Sequence, residues 1–370
     1  MKKIVYIISN IDKALHFEWL SEEIDKTKFD ISFILLNHKK SFLEKYLSGK
    51  KIKIKNIFYR NKKHLPVAIL KIYFHLLKTK PEIVHTHLFD ASLAGLIAAK
   101  LAGVKKRIYT RHHSTMHHSY HPSTVKYDRV INFFSTDIVA ISNNVKNVLI
   151  EKENVPERKI HLIHHGFQLK EFENVSLERI ELLKKKYKTN DCSPMIGVIS
   201  RYTKLKGIQY IIPAFHKLLS EYPNALLILA NADGDYKFEI KKMLQNISTK
   251  NYIEIFFEND LFALYKIFDV FVHTPVDEYC EAFGQTYIEA LAAGVPSVFT
   301  LSGIANEFIV HQKNAVVVNY QNSDEIFHGM LSILCDSILK NNLIKFGRES
   351  IQNEFALQIM ISALEKLYEQ

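Results

Sequence analysis

The sequence predicts two doubly wound α/β domains, each built on a parallel sheet, facing each other across a cleft. Three observations lead there. Short β-rich apolar runs alternate with helical stretches, the signature of βαβ units. The alternation restarts near residue 194. The charge also changes sign between the halves: residues 1–200 hold 35 Lys and Arg against 19 Asp and Glu, net +16, and residues 201–370 are net −6. A chain of 370 residues has room for two domains of ordinary size.

In the first half, strands are expected at 3–8, 30–36, 52–58, 82–87, 106–110, 136–141 and 160–164. Helices are expected at 14–25, 39–49, 65–79, 91–102, 122–134 and 143–153. In the second half, strands fall at 195–200, 225–230, 252–257, 269–273 and 296–300. The helices there are 206–221, 235–246, 260–267, 284–293 and 323–340. The polar stretch 169–193, with Lys184, Lys185 and Lys186, reads as a linker carrying a helix. This divides the chain into a first domain at 1–168, the linker, a second domain at 194–345, and an amphipathic terminal helix, 346–370, packing back on the first domain.

Composition closes several alternatives. With 47% hydrophobic and 24% charged residues, the chain is neither disordered nor fibrous. Cys192, Cys280 and Cys335 are too few and too scattered for a disulfide framework, and fit a reducing cytosol. No apolar run reaches the ~18 residues of a membrane span. The apolar stretch Ile4–Ile8 is too short for a signal peptide and reads as a first buried strand. Between Lys39 and Lys80 stand thirteen Lys and Arg against Glu44 alone. Such a face attracts an anionic surface, so a cytoplasmic protein peripheral to an anionic membrane is expected.

The chemistry concentrates in two segments. After strand 195–200 come Arg201 and Lys206, two cations at a strand's carboxyl end, a natural clamp for phosphate. After strand 269–273 comes Glu281-Ala-Phe283-Gly284-Gln285-Thr286, opening a helix that carries Glu289. The first amides of that helix offer an anion site suited to a diphosphate. Glu281 and Glu289 flank it and can accept hydrogen bonds from hydroxyls. As plain helix-terminal charges the two would need no ligand, but Glu289 stands among Tyr287, Ile288, Ala290, Leu291 and Ala292.

These residues resemble the donor domain of glycosyltransferase family 4, the retaining glycosyltransferases of the GT-B fold, which is built from two Rossmann-like domains. The likeness rests on Arg201 and Lys206 five apart, and on Glu281-x-Phe283-Gly284-x4-Glu289-Ala-x-Ala-x-Gly294-x-Pro296. It extends through Glu82–His87, Ala91–Gly103, Ser142–Val145, Val155–Ile160 and His165–Phe167, which resemble the family's acceptor domain and hinge. The resemblance implies a nucleotide-sugar donor domain at 194–345 and an acceptor-binding domain at 1–168. Donor binding falls to Arg201, Lys206, Phe283, Gly284, Gln285, Thr286 and Glu289. Arg201 and Lys206 hold the diphosphate and Glu289 the ribose hydroxyls. Glu281 meets the transferred sugar and forms the catalytic set with His113, whose rival for that place is His112.

Acceptor binding falls to Asn10, His87, Arg111 and His112. His87 reads equally well as a structural histidine, and Arg111 as a contact to an acceptor phosphate. Where the family often has a Gly-Gly pair, this chain has Ser9-Asn10. His117, His118 and His121 read as an exposed polar loop. A metal reading of the histidine run finds no carboxylate before Asp128, and the resembled enzymes work without metal, so no metal or other cofactor is expected. The expected acceptor is a lipid-linked or cell-envelope glycan, as in polysaccharide biosynthesis. Two rivals stand beside this reading. One is a GT-B nucleotide-sugar epimerase. The other is a basic nucleic-acid-binding protein, which would leave Arg201, Lys206, Glu281 and Glu289 unexplained; no nucleic-acid partner is expected.

Overall fold

A computed structural model describes residues 1–370. The chain forms two compact units, Met1–Phe167 with Leu357–Gln370, and Gln168–Ala356. The first holds a seven-stranded parallel sheet: β1 (Lys2–Ser9), β2 (Phe29–Asn37), β3 (Lys53–Phe58), β4 (Ile83–His87), β5 (Lys106–Arg111), β6 (Asp137–Ala140) and β7 (Ile160–Leu162), in the order β3-β2-β1-β4-β5-β6-β7. The second holds six parallel strands: β8 (Met195–Ile199), β9 (Leu226–Ala230), β10 (Tyr252–Ile255), β11 (Val270–His273), β12 (Ser297–Phe299) and β13 (Val316–Val317), in the order β10-β9-β8-β11-β12-β13.

Both sheets are doubly wound. Strands covered on both faces read as continuous apolar runs, and Ile4–Ile8 and Leu226–Ala230 are buried throughout. Strand order reverses between β1 and β4 in the first unit and between β8 and β11 in the second. Ligands of such sheets bind beyond the carboxyl ends at these switch points. The first sheet therefore presents Ser9 and His87 there, and the second Ile199 and His273.

Three expectations are corrected. Residues 169–193 are not a free linker, since the helices Leu169–Glu173 and Leu177–Tyr187 belong to the second unit. Phe172 packs edge-on to Phe262, and the Arg179 guanidinium grips Asp260 at 2.6 Å. The terminal stretch 346–370 is not one helix. The helix Ser337–Phe355 stays in the second unit, Ala356 is extended, and only Leu357–Glu369 joins the first. There Gly166 lies against Leu357 and Met360, and Tyr368 bonds to Tyr6 and to His85 Nδ1. Finally, the helix expected at 323–340 breaks at Asp336, whose carboxylate caps the next helix. No helix is long and apolar enough to cross a membrane.

Candidate functional site

The second unit gathers most of the expected donor residues at its switch point. Gly207 explains how. Its φ is +71°, and a Cβ there would lie 1.8 Å from the Thr274 carbonyl oxygen. Only glycine lets the loop after β8 press against the residue that follows β11. That approach lets Lys206 Nζ donate to Glu281 Oε1. His273, at the end of β11, donates to the same oxygen from Nε2 at 3.0 Å. The Glu281 amide is held by Ser302 Oγ at 3.0 Å.

Burial alone would raise the Glu281 carboxyl, but the Lys206 ammonium and the His273 bond outweigh it and hold it well below the usual carboxylate range. Burial pushes His273 down, against the pull of Glu281, so the ring is neutral. Its Nε2 carries the proton, and its buried Nδ1 has no hydrogen-bond partner. Arg201 is exposed and makes no ion pair. It stands ready for an anion that the protein does not supply.

The helix Gln285–Ala293 opens beside this cluster. Gly284, at φ +89°, sets its entry, and a side chain there would strike the Tyr287 ring. No side chain caps the helix, so the first-turn amides of Gln285 and Thr286 are open, and Thr286 Oγ1 is buried without a partner. Phe283 is corrected: its ring is buried against Phe355 and its carbonyl accepts from the Ile304 amide, so it anchors the loop rather than lining the opening. Glu289 sits one turn into the helix, buried, and accepts from the Tyr265 hydroxyl at 2.8 Å. Burial raises its carboxyl to about 7, only partly opposed by Tyr265. The two carboxylates thus have opposite characters, Glu281 fully ionised and Glu289 close to half protonated at neutral pH.

In the first unit, imidazoles stand at the carboxyl ends of β4 and β5. His87 is buried and shares a 3.0 Å hydrogen bond from Nδ1 with His112 Nε2, while its own Nε2 has no partner. His112 stacks on His165 at 5.4 Å. Burial drives His112 down to about 3, and His87 and His165 well below their ordinary value, so this cluster is neutral. Asn10 takes a left-handed φ of 54° and donates to Asp90 Oδ2 at 3.1 Å. Asn tolerates that conformation, which accounts for Asn where the family often carries Gly. Leu88, just after β4, is held at φ 68°, ψ 159°, a region that glycine alone adopts freely.

Two readings of the β5 end are corrected. Arg111 is not free for an acceptor phosphate. It is wholly buried and ion-paired to Asp128 at 3.1 Å and Glu153 at 2.6 Å. His117 and His118 are not an exposed loop either. His117 Nδ1 meets Asp128 Oδ2 at 2.6 Å and His118 Nε2 meets Glu153 Oε1 at 3.1 Å, while His121 is exposed. His113 Nε2 reaches Asp128 Oδ1 at 3.2 Å. Burial pushes His113 to about 4, with Arg111 adding to the shift and Asp128 opposing it. His113, His117 and Asp128 lie close enough to share a cation. Asp128 already pairs with the Arg111 guanidinium, which it shares with Glu153. Sequence reasoning gave no role to His273, Tyr265, Asp128 or Glu153. The one signal available was for His273, a polar residue closing an otherwise apolar strand.

A doubly wound sheet whose switch point sets cations, carboxylates and open helix amides side by side has the groups to hold an anionic, hydroxyl-bearing ligand. Comparison with known proteins gives the class. Residues 179–350 match the family model of glycosyl transferases group 1, and residues 15–171 match that of glycosyltransferase family 4. The chain belongs to these glycosyltransferases and is a GT-B transferase. It is 27% identical over 312 residues to the capsular polysaccharide biosynthesis glycosyltransferase CapM of Staphylococcus aureus, covering 81% of this chain and 80% of that one. It is 26% identical over 314 residues to the alpha-monoglucosyldiacylglycerol synthase of Acholeplasma laidlawii, covering 79% and 76%. Anabaena HepE, solved with UDP and glucose, shares the fold at a TM-score of 0.86 and 16% identity over the whole of both chains.

Proposed function

We propose that the protein is a retaining, metal-independent glycosyltransferase that moves a sugar from a UDP- or GDP-sugar to a hydroxyl of a lipid-linked or cell-envelope glycan. The observation that carries this reading is the arrangement at the second switch point: Lys206, Glu281 and His273 in contact, beside unfilled donors at Gln285 and Thr286 and an unpaired Arg201. An ammonium has three donors. Lys206 can therefore keep Glu281 and still meet a phosphate oxygen. With Arg201 and the helix amides it would stabilise charge growing on the departing diphosphate. Glu281, fully ionised, accepts from hydroxyls of the transferred sugar, and Glu289 from those of the ribose. The acceptor hydroxyl attacks on the face the diphosphate leaves, and a phosphate oxygen takes its proton, so no protein base is required.

Asn10, His87, His112 and His113 line the acceptor side, with neutral imidazoles able to donate or accept. The Arg111–Asp128 pair favours the metal-independent reading over a cation at His113 and His117. UDP is favoured as the leaving group because HepE binds it within the same fold. A lipid or capsular acceptor is favoured because the relatives include a capsular polysaccharide biosynthesis glycosyltransferase and an alpha-monoglucosyldiacylglycerol synthase. The basic stretch Lys39–Lys80 favours work at the cytoplasmic face of an anionic membrane. A thermal-shift panel of UDP, GDP, ADP and their sugar conjugates tests the donor side. The expected result is stabilisation by one nucleotide series, weakened in Glu289→Ala. No shift with any of them overturns the donor assignment.

A further inference from the structure

The helix Leu65–Thr79 buries one face and leaves the other, equally apolar, uncovered. Ala68, Ile72 and Leu76 are 0–1% exposed and belong to the core under the first sheet. Val67, Leu70, Phe74 and Leu77, spaced three and four apart, form a single stripe on the opposite side. They are 52, 54, 59 and 41% exposed. Isolated exposed apolar residues need no account, but a contiguous stripe of four does.

Its border decides the partner. Lys71 and Lys78 fall beside the stripe, both exposed and neither ion-paired. The one acid of the surrounding basic stretch, Glu44, bonds to Asn56. A second copy docking by this face about a two-fold axis would bring the same lysines together uncompensated. An acidic soluble partner would satisfy the lysines without covering so wide an apolar stripe. A bilayer with anionic headgroups satisfies both, since lysine stems lie along apolar surface while their ammoniums reach the phosphates.

We propose that the outer face of the helix Leu65–Thr79 is the membrane-docking surface, with Leu70 and Phe74 entering the headgroup boundary and Lys71 and Lys78 meeting anionic lipid. This rests on the membrane-surface reading above and assigns it to a face. The test is flotation of the full chain with phosphatidylcholine vesicles, with and without phosphatidylglycerol. Three proteins are compared: wild type, Leu70→Ser with Phe74→Ser, and Lys71→Ala with Lys78→Ala. UDP thermal shift is run on each sample, and sedimentation velocity on the lipid-free proteins.

Wild type is expected to float only with phosphatidylglycerol present. The apolar pair should weaken binding more than about tenfold, and each lysine removed should weaken it roughly fivefold at low salt. Equal binding by wild type and the apolar variant overturns the proposal. So does a wild-type dimer in solution that the apolar variant breaks while lipid binding persists. A wild type that ignores both vesicle types but keeps its UDP shift overturns the docking face and leaves the transferase reading standing. A lost UDP shift with intact flotation does the reverse.

Discussion

The two sheets share a winding and differ in what they place at the reversal of strand order. At β1 and β4 the first unit sets neutral imidazoles against one another: His87 on His112, His112 on His165. At β8 and β11 the second sets opposite charges in contact, Lys206 and His273 on Glu281. The location follows from the winding, which opens a crevice beyond the strand ends in either case. The chemistry follows from the few residues that close each strand. A charged switch point suits a diphosphate sugar. A neutral one, able to donate or accept, suits an alcohol. The first unit has charge too, but its buried cation is used up: Arg111 is shared between Asp128 and Glu153 in the interior.

That contrast breaks most visibly at the spent charge. Arg111→Met should strand two buried carboxylates and cost about 3–5 kcal/mol. Denaturant unfolding would measure it. A loss below about 1 kcal/mol would mean that Arg111 is not the structural cation the geometry describes. At the working charge the expected damage is to rate. Lys206→Ala should lower kcat roughly 10²–10³-fold, the usual loss when one stabilising donor is removed. Lys206→Ala with unchanged kcat would move the diphosphate clamp to Arg201 alone.

Acidity sharpens the comparison, because the imidazoles of the first unit and Glu289 of the second respond to it with opposite sign. The imidazoles of His112 and His113 are held down at about 3 and 4. Below about pH 6.5 the unfolded chain takes up protons that the folded one refuses. Stability should therefore fall as pH drops from about 6.5 towards 4, by ~1.4 kcal/mol per unit for each such ring. Glu289 does the reverse. Its folded value, about 7, lies above the ordinary 4.5. The folded state holds that proton longer, so stability is lost as pH rises from about 4.5 through 7, by about 3 kcal/mol in all. Glu289→Gln removes the opposing slope. Against pH between 5 and 6.5, its unfolding free energy should rise ~1.4 kcal/mol per unit more steeply than that of wild type. Parallel curves would mean that Glu289 is ionised throughout that range.

Much of this was legible in the sequence, and the missing parts share a cause. Alternation of apolar and helical runs located twelve of the thirteen strands to within a few residues, because a buried parallel strand writes itself as a continuous apolar run. The strand β13 is two residues long and too short to carry a period. The helix break at Ala356 went unread because amphipathic spacing continues across it. The Arg-Lys and Glu-x7-Glu spacings singled out Arg201, Lys206, Glu281 and Glu289, but not that Lys206 and Glu281, 75 positions apart, would meet. His117 and His118 read as an exposed loop because the carboxylates that hold them lie 11 and 35 residues downstream. Local pattern reports periodicity and propensity. It does not report which distant partner a polar side chain will find.

The smallest expected effect lies in the backbone and compares Leu88 with Asn10. Both follow strands at the first switch point, and both have positive φ. Asn10 occupies the left-handed helical region, which an amide side chain tolerates at little cost. Leu88 has ψ near 159°, where a Cβ collides with its own backbone and the cost is of order 1–3 kcal/mol. Leu88→Gly removes that strain but frees the unfolded chain and deletes a half-buried side chain. The two losses together are about as large as the strain. The expected change is within about 1 kcal/mol of zero, where glycine placed at an ordinary extended position beside a half-buried leucine would cost more. Asn10→Gly should be milder still. A loss above about 2 kcal/mol for Leu88→Gly would show that the side chain, and not the backbone path it permits into the helix Phe89–Leu101, is what that corner of the first switch point depends on.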